Sequence, residues 1–237
     1  MSDKKFDIYL EFNYLKLCLA AFNKINNKLE YYKEHTYESY FNNFKELEFE
    51  KLGKFVEENI IEIEKSIGEF VSDVYLIVET PQSISIKLSV ANNNEGKKII
   101  KEDIVYLVRD AKQQLIKSNK DYKILHIIVE NYTLDNVQHK FLPTDNRCNK
   151  LSIDLKFICF PKDLLGEFEK LFLNQQILIN RFVCLNYVKT YNFTDMEKNI
   201  CQRGKNIVEG INKQEVVSIP SEPKRKGFFE KLFHFFK

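Results

Sequence analysis

At 237 residues, 44% of them hydrophobic and 14% aromatic, the chain carries enough apolar material for a real core and too much for a disordered segment. Its 36 basic and 34 acidic residues leave a formal charge of +2, so no overall field is aimed at nucleic acid and any electrostatic message is local. No run approaches the roughly 20 apolar residues of a membrane-spanning helix, and the opening MSDKKFDIYL lacks the apolar core and cleavage site of a signal peptide.

Taken in order, residues 6–12 and 15–22 read as two strands joined by a tight turn, and 29–35 as a third beyond the turn residues 23–27. A helix is predicted over about 47–67. Leu52, Val56, Ile60, Ile63 and Ile67 recur there at helical steps, and Gly68 is a natural stop. Glu62 and Lys65 read as a solvated pair on its wet side. Another buried strand, 71–78, follows. The pattern restarts after Pro81: a strand at 84–90, a turn at 92–96, and a helix at 102–118 with Ile104, Leu107, Val108, Ala111 and Leu115 on one face. The run Ile124, Leu125, Ile127, Ile128, Val129 fits a strand buried on both faces. After a polar connection through Pro143, Leu151, Ile153, Leu155, Phe157 and Cys159 alternate with Ser152, Asp154 and Lys156, as in a half-buried strand. Pro161 opens a helix through 173, residues 177–188 return as strand or strand into helix, and the capping box Thr194–Glu197 starts a helix running to about 212. Residues 214–223, with two prolines, read as a linker. The five cysteines (Cys18, Cys148, Cys159, Cys184, Cys201) form no CxxC and no zinc-ligand spacing, which points to a reduced, cytosolic protein.

The stretch KILHIIVENYTLD, with NKLSIDLKFICF beyond it, resembles the domain inserted into the actin-like fold of the bacterial cell-division FtsA family. Ile124, Leu125, His126, Ile127, Ile128, Tyr132, Leu134 and Asp135 match that family's ILHxIPxxYxLD strand. Pro143, Lys150 and Leu151 fit its PxGMxGxxL loop. The loop glycines are lost, with Asp145 and Asn149 near their places. The resemblance extends loosely over residues 6–199, where Thr194–Glu197 is similar to the family's LTxDExE stretch, and resumes in the last dozen residues. It implies a mixed α+β (α/β) fold: a partial actin-like, ribonuclease H-like half-domain (1–80 and 174–212) holding an inserted strand–helix–strand–strand domain (81–173). A linker (213–226) and an amphipathic helix (227–237) complete that layout, and the family's second half-domain has no counterpart.

Actin-like ATPases cradle phosphate in glycine-rich turns, where backbone N–H groups approach the oxygens. The family's LDIGTSK turn aligns with Leu10 to Lys16. Glu11 stands for the aspartate, Asn13 for the glycine, and Tyr14 and Leu15 fill the small positions. Only seven glycines occur, none in a GxG or P-loop pattern. No enzyme and no cofactor are therefore expected, and Glu11 and Lys16 read as solvated strand-end charges. His126, in a buried strand, reads as a hydrogen-bonded core histidine; His35, His139 and His234 stand isolated.

The sharpest local signal is the end of the sequence. The basic cluster Lys224, Arg225, Lys226 precedes a segment whose Phe228, Phe229, Leu232, Phe233, Phe235 and Phe236 fall, on a helix, within an arc of roughly 160°. Lys231 and Lys237 join the polar side. Residues 227–237 would reach only about 16 Å as a helix, too short to span a bilayer but long enough to lie in its interface over anionic headgroups. The expected role is a non-catalytic, peripheral adaptor or scaffold of bacterial septum assembly on the cytoplasmic face of the inner membrane. Its partners would be anionic lipids, and division proteins or copies of itself through the inserted domain, with no nucleic acid. The surface that binds FtsZ belongs to the family's second half-domain, so that partnership is not carried over. Two alternatives stand: a pilus-assembly adaptor of the related actin-like type, with a peptide-binding groove, and a nucleotide-dependent switch.

Overall fold

The protein is described by a computed structural model, covering residues 4–13, 15–36, 49–143, 146–193 and 199–216. Tyr14, Asp145, the Thr194–Glu197 capping box, most of the predicted linker and every tail residue from Lys224 to Lys237 lie outside these.

The described residues form two sheets. The first has strand order β3-β2-β1-β4-β9, from β1 (Phe6–Phe12), β2 (Lys16–Asn23), β3 (Leu29–Thr36), β4 (Asp73–Val78) and β9 (Leu178–Cys184). β1, β2 and β3 form an antiparallel meander, and β4 and β9 add in parallel beside β1. Parallel addition needs a crossover, supplied by α1 (Phe49–Ile67) before β4 and by α3 (Lys162–Asn174) before β9. The period-two pleat assigns the faces. Phe12 meets Phe168 of α3 on one face, where Leu52, Val56, Ile60 and Ile63 of α1 are also buried. Tyr9, Glu11 and Ile77 point to the other, covered by α5 (Ile200–Val208). α1 ends where Gly68 takes a φ of +68° and returns its N–H to Glu64.

The second sheet has order β5-β8-β6-β7, from β5 (Ile84–Asn93), β6 (Tyr122–Leu134), β7 (Val137–His139) and β8 (Lys150–Pro161), all antiparallel. Leu107, Val108, Ala111 and Leu115 of α2 (Lys101–Ser118) cover one face. The other face is polar over part of its length, where Ser89 donates to Asp154 at 2.6 Å and Lys87 pairs with Glu130 at 2.8 Å. β8 serves both cores. Leu151, Ile153, Leu155, Phe157 and Cys159 enter the second, whereas Ile158 and Phe160 enter the first.

Several expectations need correcting. α3 is grouped with the inserted domain in the sequence, yet Leu164, Leu165, Phe168, Leu171 and Phe172 pack in the first core; its apolar face has no other sheet to cover. Pro161 closes β8 and stands just before the helix. α5 begins at Ile200, capped by Asn199, whose side chain accepts from the Cys201 and Gln202 N–H groups, and it stops at Val208. Gly210, at φ +82°, then turns the chain away. Residues 214–216, read as linker, run along β6. β7 is unforeseen; Asp135 and Asn136, at φ 43° and 75°, make the hairpin turn that forms it. Glu62 pairs with Lys33 of β3, because the strand brings a cation to the helix face where Lys65 was expected.

Candidate functional site

Two places combine unusual chemistry with fixed geometry. The first is the turn between β1 and β2. Asn13 Oδ1 accepts from the N–H of Leu15 at 2.8 Å and of Lys16 at 2.9 Å, and its Nδ2 donates to Glu11 at 2.8 Å. Asn13 N–H closes the turn on the Lys16 carbonyl. The N–H groups of Leu15 and Lys16 are thus already bonded to a side-chain oxygen of the same turn. Glu11 is not the solvated charge expected: it is 1% exposed, because its side chain points to the face that α5 covers. Lys16 extends to Glu34 of β3 at 2.8 Å. That bond raises the lysine's pKa and holds the Glu34 carboxyl below its usual range.

The second place is the junction of the two sheets. β6 carries a bulge at Leu125, so Ile124 and Ile127 face the second core while His126 turns to the opposite side. There the Cys184 N–H, at the end of β9, donates to His126 Nε2 at 3.0 Å. An acceptor Nε2 places the proton on Nδ1, which donates to Glu215 Oε1 at 2.7 Å. Arg181 of β9 donates to the same oxygen at 2.6 Å, and the Tyr187 hydroxyl, in α4 (Leu185–Thr190), to the other at 3.0 Å. Asn212 then donates to the Tyr187 oxygen at 2.7 Å. One carboxylate, 6% exposed, gathers donors from three elements.

Burial lowers the pKa of His126, against the pull of Glu215, because the imidazole is cut off from water. Burial works to raise the Glu215 carboxyl, but the hydrogen bond from His126 and the charge of Arg181 outweigh it and hold it below the usual range. The arrangement is a neutral histidine on an ionised carboxylate, with both imidazole nitrogens and both carboxylate oxygens bonded. That is the chemistry of a clasp, and it bears out His126 as a hydrogen-bonded core residue.

The matched motif residues are largely brought together. Leu134 pairs with Leu151, and Asp135 accepts from the N–H groups of Asn149 and Lys150 at 2.8–3.0 Å, fixing the start of β8. The five cysteines are free and buried; burial pushes Cys18 up to about 12 and Cys159 up to about 11, so both thiols stay protonated. Arg181, Tyr187, Asn212 and Glu215 were missed. His126 and Glu215 are 89 residues apart, and no spacing rule connects them. A cleft of about 240 Å³ opens beside this junction, lined by Ser85, Lys156, Ile158, Cys184, Asn186 and Tyr187 among others. No helix among the described residues is long and apolar enough to cross a membrane.

No family model and no curated protein matches the sequence. The fold is similar to that of a chain in the PilM–PilN type IV pilus biogenesis complex, with a TM-score of 0.50 and 10% identity over 77% of this chain and 48% of that one. Looser likenesses include the cytoplasmic domain of EpsL, an inner-membrane component of the type II secretion system of Vibrio cholerae (TM-score 0.39, 8% identity, 77% and 58% covered). Another is a Bacteroides thetaiotaomicron protein of actin-like ATPase fold and unknown function (TM-score 0.34, 10% identity, 80% and 57% covered). This chain spans about half the length of the pilus-complex chain. What is shared with the pilus-complex chain is the architecture, a mixed α/β fold.

Proposed function

We propose that the protein is a non-catalytic actin-like adaptor of the pilus- or secretion-assembly type, holding a segment of an inner-membrane partner at the cytoplasmic face of the membrane. The observation that supports the non-catalytic half is the turn at Asn13, whose side chain takes the Leu15 and Lys16 N–H groups where the actin-like pattern would place phosphate. The partner class is supported by the likeness to the PilM–PilN complex, since that complex joins one assembly protein to another. This is the reading the fold favours over a division scaffold, for which the support is the ILHIIVENYTLD match and the tail. In either role residues 224–237 act as the peripheral anchor on anionic lipid, through the basic cluster and the phenylalanine face.

The test is affinity purification of the full chain from its own membranes, with calorimetry alongside. Pilus- or secretion-assembly proteins as the enriched partners, and no heat with magnesium-ATP, are expected. Enrichment of septal proteins instead would return the division scaffold, and stoichiometric magnesium-ATP binding would return the switch.

A further inference from the structure

Residues 212–216 lie on the protein as a ligand lies in a site. Beyond the Gly210 turn they run antiparallel along the edge of β6. Val129 N–H donates to the Gln214 carbonyl and Val216 N–H to the Ile127 carbonyl, both at 2.8 Å. This is the backbone pattern by which an extended peptide adds to a sheet edge. Between those two bonds Glu215 drops into the socket of His126, Arg181 and Tyr187. The socket is built: His126 is 1% exposed and Tyr187 7%, and each has a donor aimed at the carboxylate. Emptied, it would leave an imidazole N–H, a guanidinium and a phenol without an acceptor, so it requires an anion. Tyr187 and Cys184 also line the 240 Å³ cleft beside the socket, and Arg181 keeps 25% of its side chain in water.

Edge and socket together specify a ligand class: an extended segment with a carboxylate side chain between two free backbone groups. We propose that this is the acceptor site for an acidic, extended segment of a protein partner, and that residues 212–216 are its resident occupant, displaced when the partner binds. The proposal rests on the adaptor reading above and gives it a place and a chemistry. What holds the occupant is chiefly the Glu215 carboxylate, which a rival acidic segment would replace in kind. The occupant is tethered through Gly210 and bonded to the edge at two backbone positions, with Asn212 and Gln214 adding single side-chain bonds to Tyr187 and to the Lys140 carbonyl.

The probe is a fluorescent peptide of the chain's own residues 210–219, titrated against the full chain. The full-length variants Glu215→Gln and Val216→Pro each loosen the resident segment, the first in the socket and the second on the edge. Either should bind the peptide at least tenfold more tightly than the unaltered chain. The same peptide with glutamine at its glutamate position should bind at least tenfold more weakly. Binding that ignores the glutamate, or no binding to either folded variant, overturns the site. Dimers formed by Glu215→Gln that disappear on adding peptide would assign the edge to a second copy of this chain and overturn the partner reading. Because the peptide is the chain's own, these outcomes are independent of which proteins co-purify: tight binding without an assembly partner would fail the adaptor reading alone.

Discussion

Glu215 concentrates much of the molecule's polar energetics in one carboxylate, and its neighbours make the consequences calculable. Glu215→Ala would leave the buried His126 N–H and the Tyr187 hydroxyl without an acceptor and Arg181 without its counter-ion. Removing one partner of a buried pair costs about 3–5 kcal/mol. Arg181 keeps 25% of its side chain in water, which sets the expected loss near the low end, about 3 kcal/mol, measurable by urea unfolding. The same residues set a pH dependence. The folded state depresses the pKa of His126 through burial, so below the ordinary value of 6.5 the unfolded chain binds more protons, and stability falls as pH drops from there. Glu215, also depressed, adds a second loss as pH falls below its ordinary 4.5. Urea midpoints should therefore decline from pH 7 to pH 4. His126→Gln, whose amide can donate to Glu215 and accept from Cys184, should flatten the upper part of that decline while leaving the lower part.

Among the elements, α5 shows how closely this fold packs. A Cβ on Gly204 would lie inside the contact distance of Ile77 Cδ1, and Ile77 is fully buried on β4. Gly204→Ala gains helix propensity worth roughly 1 kcal/mol but forces a side chain in a packed core off its rotamer, a cost of about 1–3 kcal/mol. A net loss is expected. In an Ile77→Val background, where Cδ1 is gone, the loss should shrink by at least half, and a double-mutant cycle in urea reads the coupling directly. At this level the sequence is informative where periodicity is clean: α1, α2 and β8 carry their apolar faces in their spacing. At β6 it gives a strand buried on both sides but not its faces: the Leu125 bulge turns His126 away from the core that Ile124 and Ile127 enter, and a continuous apolar run carries no sign of that.

At the scale of the whole molecule, the expected membrane contact lies in the tail. Each basic residue near an anionic surface contributes about 1 kcal/mol, and each large apolar side chain fully buried about 1.5–3 kcal/mol. On these values, four cations and six apolar groups in residues 224–236 would hold a body of this size reversibly if the segment lies in the interface. Flotation with anionic liposomes should carry the full chain and leave behind a chain truncated after Pro223, and added salt should weaken the binding. Equal flotation of both would move the membrane contact to the folded body; flotation of neither would make the tail a packing element.

Local chemistry, written in the sequence, determined most of the strands and helices, the tight turn between β1 and β2, and the amphipathic pattern of the tail, because each depends on neighbours within a few positions. The mixed α/β class follows from the same patterns. Only the tertiary structure decided that α3 belongs to the first core, that Glu11 is buried, and that residues 212–216 complete the edge of β6. Those outcomes depend on which faces meet, and a chain that brings Glu215 to His126 across 89 residues leaves no local trace of doing so. The clasp exists because a buried imidazole, a guanidinium and a phenol converge at the junction of two sheets, where only a carboxylate from a distant segment satisfies all three.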